Sequence, residues 1–514
     1  MQKTKIECEI YPNEYRDSMV LMNVSRQLEE TTGVKRTMAV MGTPGNKALL
    51  KQMGLFVPET EKGTPNDLIV VFEPDAGADL GQVRNRISEI LTGPAEHGGG
   101  KACAHDGPAA PVYRTVTAAA EYEPDVNLAV VSVPGEFAAR EADLALDAGM
   151  NVFMWSDGVP IEDEVRLKSK AVENGLLMMG PECGTSLVNG VCLGISSVVR
   201  RGPVGALGAS GSGLQEIYTL LDRAGIGVTH AIGTGGRDLK EAVGGLTTLQ
   251  SIDFFDGDED TKVIVNVSKK PESAVAKKVL DRVSVCTKPV VVCFLGENNS
   301  TKFGDNVHIA ATIEDAVDAV GEILGQKIIT RDDDAALAKV GPVTLRPEQK
   351  YIRGLFTGGT FCQEATLIWK EALGEVWAVH SMDPEFELTD PEKSIGHTAL
   401  DIGEEYFTVG RPHAAIDPVP RIERMEREIE EKEVAVIVLD IELGHGSHPD
   451  MAGALAPSVK KAREKGIYVI THVCGTELDP QNVVTQEKIL AEAGSVVAET
   501  NAAAARIALK ILGT

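Results

Sequence analysis

The sequence predicts an α/β protein of consecutive doubly wound parallel-sheet domains, with a small α+β domain at the N-terminus. Three observations carry this. A short apolar run, a glycine-bearing turn and an amphipathic stretch recur along the 514 residues. The apolar runs are near-continuous in Val, Ile and Leu, which suits strands buried on both faces. Aromatic residues make up only 4% of the chain, too few for a β-sandwich core or a base-stacking surface.

Strands are expected at 37–41, 68–72, 128–133, 152–155, 204–207, 263–267, 290–295, 352–356, 434–439 and 467–471. The Gly/Ala/Pro-rich stretch 93–111 reads as a flexible loop. The stretch 329–349, with an acidic run at 332–334 and prolines at 342 and 347, reads as a linker. Domains are therefore expected at 1–95, 111–200, 201–330 and 345–514.

Composition excludes several classes of function. An apolar fraction of 43% and a charged fraction of 25% are those of a globular chain. A net charge of −26 argues against a nucleic acid or an anionic membrane as partner, and serves solubility. The eight cysteines are scattered, with no CxxC pair, as in a reducing compartment. The N-terminus opens on charges (Lys3, Lys5, Glu7, Glu9) without an apolar core, so no signal peptide is read. No uncharged stretch reaches the roughly 18 residues of a membrane helix. A cytoplasmic protein is expected.

An internal repeat organises the C-terminal half. VGALGASGSGLQEIYTLLDR at 204–223 lies on IRGLFTGGTFCQEATLIWKE at 352–371, with Gln215-Glu216 on Gln363-Glu364, Gly211 on Gly359 and Ser212 on Thr360. Gly236-Arg237 has a counterpart in Gly410-Arg411, and VIVNV at 263 has one in VIVLD at 436.

In each copy a strand ends in a glycine-rich turn and a helix follows, with Leu214, Ile217 and Leu221 on one face of the first and Phe361, Ala365 and Ile368 on one face of the second. A helix N-terminus offers unpaired N–H groups and a partial positive charge to a phosphate or carboxylate. The candidate phosphate ligands are thus Ser210, Gly211, Ser212 and Gly213 in one turn and Gly358, Gly359 and Thr360 in the other. Glycine-rich βα turns also occur in doubly wound domains that bind nothing; the pairing is what favours a two-sided anion clamp.

A family resemblance follows from longer segments. Residues 111–200, with VYRTVTAAAEY, LAVVSVPGEFAAREADLALDAGMNVFMWSDGVP and LLMMGPECGTSLVNGVCLG, resemble the second half of the CoA-binding domain of the succinyl-CoA synthetase α subunit. Gly180-Pro181-Glu182-Cys183-Gly184 stands where that family has Gly-Pro-Asn-Cys-Pro-Gly. Residues 201–325 resemble the ligase domain of the same subunit through ASGSGLQE. Residues 345–514 resemble the carboxy-terminal ligase domain of the β subunit through TGGTFCQEA, ALDIG and VIVLDI. The order of these pieces, without an ATP-grasp segment, resembles the FdrA family of acyl-CoA-synthetase-like proteins. So does the opening segment with RDSMVLMNVSRQLEE, VMGTPGNKALL and TPNDLIVVFE.

The resemblance implies a Rossmann-type CoA-binding remnant followed by two flavodoxin-like domains of succinyl-CoA-synthetase type. Departures weaken the synthetase chemistry. The CoA-site loop of type GFTGxQG is replaced by 1–95, so CoA is no firm cofactor. The phosphohistidine loop Gly-His-Ala-Gly-Ala is replaced by ENNSTKFGDNVHIAATIEDA, with Asp305 after Gly304 and the lone His308 before an apolar run. A nucleotide would need another subunit.

Six of the ten histidines follow residue 379. His445 and His448, with Asp450, follow one strand, and His472 and Glu477 are read as following the next, where open sheets hold ligands. These residues suit a carboxylate or amide substrate and proton transfer, a structural turn, or a metal, although the spacing fits no zinc signature. Members of the FdrA family occur with partner proteins and are linked to carbamoyl exchange among oxalurate, oxamate and carbamoyl phosphate in purine (allantoin) catabolism. The resemblance therefore implies a carbamoyltransferase subunit in a hetero-oligomer, acting on small anionic substrates. The helix pair would hold phosphate, and Arg411, His448 or His472 would orient the carboxylate. The alternatives are a subunit of an ADP-forming acyl-CoA synthetase and a non-catalytic metabolite-binding scaffold.

Overall fold

The computed structural model describes residues 6–14, 21, 24, 25, 27, 28, 33–75, 77–92, 111–297, 303–339, 341–379, 381, 383–408 and 411–514. The chain divides into two compact units, Met1–Gly107 with Val409–Pro412, and Pro108–Thr408 with His413–Thr514. The break after Gly107 falls inside the glycine-rich stretch; residues 93–110 lie outside the described ones.

The smaller unit is an antiparallel sheet of β1 (Glu7–Tyr11), β2 (Val34–Met41) and β3 (Leu68–Pro74), in the order β1-β3-β2, with helices α1 (Pro44–Gln52) and α2 (Leu80–Thr92). Leu68, Val70 and Phe72 face one core with Val83 and Ile87; Ile69 and Val71 face another with Leu50 and Leu55. Both faces of β3 are covered, so an antiparallel strand reads as a continuous apolar run.

The larger unit contains three sheets. The first is parallel: β4 (Leu128–Val131), β5 (Asn151–Met154) and β6 (Met178–Met179), packed with α3 (Val116–Tyr122), α4 (Gly135–Asp147) and α5 (Ile161–Glu173). A hairpin of β7 (Thr185–Val188) and β8 (Val191–Gly194) leads into the first repeat. That repeat runs β9 (Arg201–Gly208), α6 (Gly211–Arg223), β10 (Val228–Gly233), α7 (Leu246–Gly257), β11 (Val263–Lys269), α8 (Ser273–Val283), β12 (Val290–Leu295), β13 (Val307–Ile309) and α9 (Ile313–Leu324). Its sheet has the order β13-β12-β11-β9-β10-β7-β8.

The second repeat follows α10 (Asp333–Ala338), a short helix inside the stretch read as a linker. Arg506 binds Asp333 at 2.8 Å and Ile329 is buried, so this stretch is packed down. The repeat then runs β14 (Tyr351–Phe356), α11 (Gly359–Leu373), β15 (Trp377–Ala378), β16 (Thr398–Asp401), α12 (Glu405–Thr408), α13 (Val419–Glu430), β17 (Val434–Glu442), α14 (Met451–Glu464), β18 (Tyr468–Cys474), α15 (Val483–Glu492), β19 (Val496–Ala498) and α16 (Asn501–Leu512). Its strands are parallel in the order β15-β16-β14-β17-β18-β19.

With the edge strand and hairpin set aside, both sheets have the flavodoxin order 2-1-3-4-5. The registers agree too: Val263 stands opposite Val204, and Val436 opposite Ile352. The fold is the expected α/β series of doubly wound sheets behind a small N-terminal domain. Among the described residues no helix is long and apolar enough to cross a membrane.

Candidate functional site

The first helix of each repeat has its apolar face on its own sheet, yet α6 is buried all round from Ser212 to Asp222. Such a helix must set its polar face against protein as well. That face meets the second repeat.

The meeting begins at the two turns. Ser210 caps α6, its hydroxyl accepting the N–H of Gly213 at 3.0 Å. The same hydroxyl lies 2.5 Å from Oγ1 of Thr360, in the first turn of α11. In the repeat alignment Ser210 corresponds to Gly358 and Thr360 to Ser212. A two-fold relation between the repeats therefore requires Gly358 and Ser212 to meet as well. They do: a Cβ on Gly358 would stand 2.7 Å from Cβ of Ser212 and 2.6 Å from Oε1 of Glu442. Only glycine leaves room for that approach. The two helix N-termini thus abut.

One turn further on, the aligned pair Glu216 and Glu364 cross between the repeats. Glu216 accepts the N–H of Asn501, at the start of α16, at 3.2 Å and lies 2.7 Å from Nε2 of His472. Glu364 accepts the N–H of Ile313, at the start of α9, at 2.7 Å and Nδ2 of Asn501 at 2.8 Å. Each repeat thereby places a carboxylate at the N-terminus of the other's last helix, where the helix dipole favours negative charge. Burial pushes the Glu364 carboxyl up to about 7.

The strand ends around the crossing carry opposite charges. In the shared register Lys269, last residue of β11, corresponds to Glu442, last residue of β17. Lys269 is exposed and flanks Gly359, where a Cβ would stand 2.9 Å from its Nζ and 2.4 Å from Oδ2 of Asp401. Burial pushes Asp401 up to about 7 against the pull of the Lys269 ammonium. Asp440 accepts the N–H groups of Thr357 and Gly358 at 2.8 Å each and binds Arg421 Nη1 at 3.0 Å. Arg421 is fully buried, and its Nε and Nη2 find no hydrogen-bond partner. Glu442 is 6% exposed, and its Oε1 is likewise unpartnered. The sequence reading assigned none of these residues a role. The signal was present in two aligned strands, VIVNVSK and VIVLDIE, that end in opposite charges.

The structure brings together Ser210, Gly211, Ser212, Gly213, Gly358, Gly359 and Thr360. It relocates His472, which was expected on a turn after a strand. This residue lies inside β18, 1% exposed, against Glu216 and edge-on to Phe361. Burial disfavours the charged ring, but the Glu216 carboxylate outweighs it and holds the His472 pKa above the usual value. His448 lies on the loop after β17, its N–H donating to the Ala415 carbonyl at 2.9 Å and its Nδ1 accepting from Asp450 N–H at 3.1 Å. His445 exchanges backbone hydrogen bonds with Ser196 at 2.9 and 3.1 Å. Arg411 is exposed and belongs to the smaller unit, and Gly410 is outside the described residues. His308 stands exposed in the edge strand β13.

The Gly180–Gly184 run is an internal tie. A Cβ on Gly235 would stand 2.5 Å from the Pro181 carbonyl oxygen, one on Gly233 would stand 2.6 Å from Sγ of Cys183, and Cys183 itself is buried.

Comparison with known proteins places this architecture. The chain is 41% identical over 502 residues to YahF of Escherichia coli (strain K12), covering 96% of each chain. The chain belongs to the YahF family. Its residues 355–511 match the CoA-ligase family, 200–296 the CoA binding domain, and 1–106 the AllF heavy metal-associated domain. The CoA-binding match falls on the first repeat, C-terminal to the 111–200 segment expected to resemble such a domain. The chain is also similar to succinate–CoA ligase [ADP-forming] subunit alpha 2 of Archaeoglobus fulgidus, 32% identical over 188 residues, covering 35% of this chain and 62% of that one. It is similar to the ADP-forming sulfoacetate-CoA ligase subunit SauD of Bilophila wadsworthia, 24% identical over 249 residues, covering 46% and 79%. Among solved structures, the dinucleotide forming acetyl-coenzyme A synthetase 1 of Ca. Korarchaeum cryptofilum superposes with a TM-score of 0.34 at 17% identity, covering 80% of this chain and 87% of that one. By its CoA-ligase and CoA-binding matches and its α-subunit relatives, the chain is an acyl-CoA-synthetase-like, succinyl-CoA-ligase-like protein.

Among the described residues nothing fits the heavy-metal name of the N-terminal match. Cys103 is outside the described ones, and burial pushes the Cys8 thiol, in β1, up to about 11, away from the thiolate that binds metal. Among the described residues no three His, Cys, Asp or Glu side chains group as metal ligands.

Proposed function

We propose that the chain is the acyl-phosphate-handling subunit of an acyl-CoA-synthetase-like assembly, and that the group transferred is carbamoyl. The observation that carries this reading is the abutment of α6 and α11 at Ser210 and Thr360, with Ser212 set against Gly358. Two helix N-termini with hydroxyl-bearing first turns, flanked by Lys269, suit a phosphoryl group. The FdrA-like order of segments supports carbamoyl phosphate as that acyl phosphate and oxamate as its co-substrate, and the AllF match over 1–106 falls on the opening segment that carries part of that resemblance.

The step is a direct displacement. The oxamate nitrogen attacks the carbamoyl carbon, a C–N bond forms, and the C–O bond to phosphate breaks with its electron pair leaving on phosphate. The nitrogen gives up one proton, which the departing phosphate takes up. Positioning and anion stabilisation suffice for this, without a covalent enzyme intermediate. His448, on the loop after β17, is the proposed ligand of the co-substrate carboxylate; His472, buried on Glu216, is spoken for.

The ADP-forming acyl-CoA ligase reading has its own support in the CoA-ligase and CoA-binding matches and the α-subunit relatives. Titration of the full chain separates the two. Under the lead reading carbamoyl phosphate with oxamate raises the melting temperature, and the assembly reconstituted with its partner subunits exchanges carbamoyl groups. Saturable CoA binding together with CoA-dependent phosphate release, without carbamoyl exchange, would give the ligase reading the lead.

A further inference from the structure

The duplication supplies two equivalent positions at the crossing, and the chain has filled them with opposite charges. Lys269 ends β11 beside Gly359, and Glu442 ends β17 beside Gly358 and Ser212. A duplicated anion site would be served by two cations. Instead one position carries a carboxyl that is nine-tenths buried, with Oε1 unpartnered and turned to the point where the helix N-termini meet.

We propose that Glu442 is the acid of this site, donating its carboxyl O–H in a hydrogen bond to a phosphate-like anion held at the paired N-termini of α6 and α11, with Lys269 as the facing cation. The proposal rests on the anion-site reading of the crossing and adds to it a residue and a bound proton. An ionised Glu442 would repel that anion, whereas a neutral one offers it a donor.

The surroundings favour the neutral form. Asp440 on the same strand, Asp401 from the end of β16 and Glu216 from α6 face it with negative charge, and Arg421 from α13 opposes them. Burial is the largest effect, and the carboxyl is pushed up to about 8. At neutral pH the proton is therefore in place before the anion arrives. Asp401, about equally burdened, shares its setting with Lys269 and Gly359 instead.

The test is titration of the full chain with inorganic sulfate, whose charge is constant, between about pH 6 and pH 9. Wild-type affinity should weaken modestly near pH 7, where the neighbouring Asp401 ionises, and above about pH 8 fall further, toward about tenfold per pH unit, as the donating proton is lost. Glu442→Gln, which keeps the shape and a donor, should bind without that slope, and Lys269→Met should bind at least about tenfold more weakly with the slope retained. Infrared difference spectra should show a neutral-carboxyl band that shifts when sulfate is added and is missing in Glu442→Gln; in the wild-type protein the shift can be read even if the variant folds poorly. An unchanged slope in a folded Glu442→Gln, or no neutral-carboxyl band, overturns the role of Glu442 while leaving the anion site standing. If the wild-type chain binds neither sulfate nor phosphate at any pH, the anion-site reading falls and this inference with it.

Discussion

The Glu216 carboxylate, on the first helix of one repeat, lies 2.7 Å from Nε2 of His472, on the fourth strand of the other, and both side chains are 1% exposed. Breaking a buried pair by removing one partner strands the other charge and costs about 3–5 kcal/mol. Glu216→Gln and His472→Gln should each destabilise the chain by that order in urea denaturation, and the double variant by less than their sum. The pH sign follows from the raised His472 pKa: the folded state holds this proton more tightly than the unfolded one. The stabilisation is fully present below about 6.5, the unfolded value, and is lost as pH rises through the folded one. A His472→Gln chain of wild-type stability would show that the pair does not join the repeats.

The hydroxyls at the crossing should separate by function. Ser210→Ala removes the cap of α6 and should cost about 0.5–2 kcal/mol of stability. Ser212→Ala and Thr360→Ala should instead weaken phosphate or carbamoyl phosphate, by about tenfold to a hundredfold, because each loses a hydrogen bond to a charged group. Calorimetric titration beside denaturation reads both effects. If Ser212→Ala and Thr360→Ala bind as the wild type does, the crossing is a relic and the scaffold reading takes the lead.

The elements legible in the sequence were those with continuous apolar runs. The ten expected strands are all present, and the repeat alignment of Ser212 with Thr360 anticipated the pairing of the turns. Short strands escaped: β16 carries only TALD, and β19 only VVA, because their burial comes from neighbours and not from their own pattern. His472 was misplaced because strand β18 continues beyond its apolar run, through Thr471 and His472 to Cys474, with the polar groups satisfied by Ser495 and Glu216. Sequence periodicity cannot register such a partner 256 residues away.

The raised carboxyls predict a pH profile for folding. Glu364 and Asp401 stand near 7 in the fold, against ordinary values of 4.5 and 3.8. Between those values the folded state binds more protons than the unfolded one, so their contribution is full at about pH 4 and declines as pH rises to about 7. Glu364→Gln should reduce the decline by on the order of 3 kcal/mol between about pH 4.5 and pH 8. Urea midpoints across that range measure it; a slope identical to wild type would mean that Glu364 is ionised in the fold.

Lys168 provides the last test, on the attachment of the three-stranded sheet to the first repeat. Its Nζ is buried on α5 between Glu164 at 3.0 Å and Asp238 at 2.7 Å, and it donates to the Thr234 carbonyl at 2.8 Å. Asp238 is held in turn by the N–H and hydroxyl of Thr248 at 2.9 and 2.6 Å, and Glu164 by Arg237 at 2.9 Å. Methionine at 168 would keep the stem packing and leave two carboxylates facing each other without their shared cation. Lys168→Met should therefore cost about 3–5 kcal/mol at neutral pH, and part of the loss should return on acidification, as a carboxylate takes up a proton. Hydrogen exchange should quicken in residues 161–173 and 234–248, while α6 and α11, joined through Glu216 and Glu364, keep their protection. Uniform quickening through α6 and α11 as well would show that the sheet and the repeats unfold as one cooperative block, with Lys168 as part of its common core.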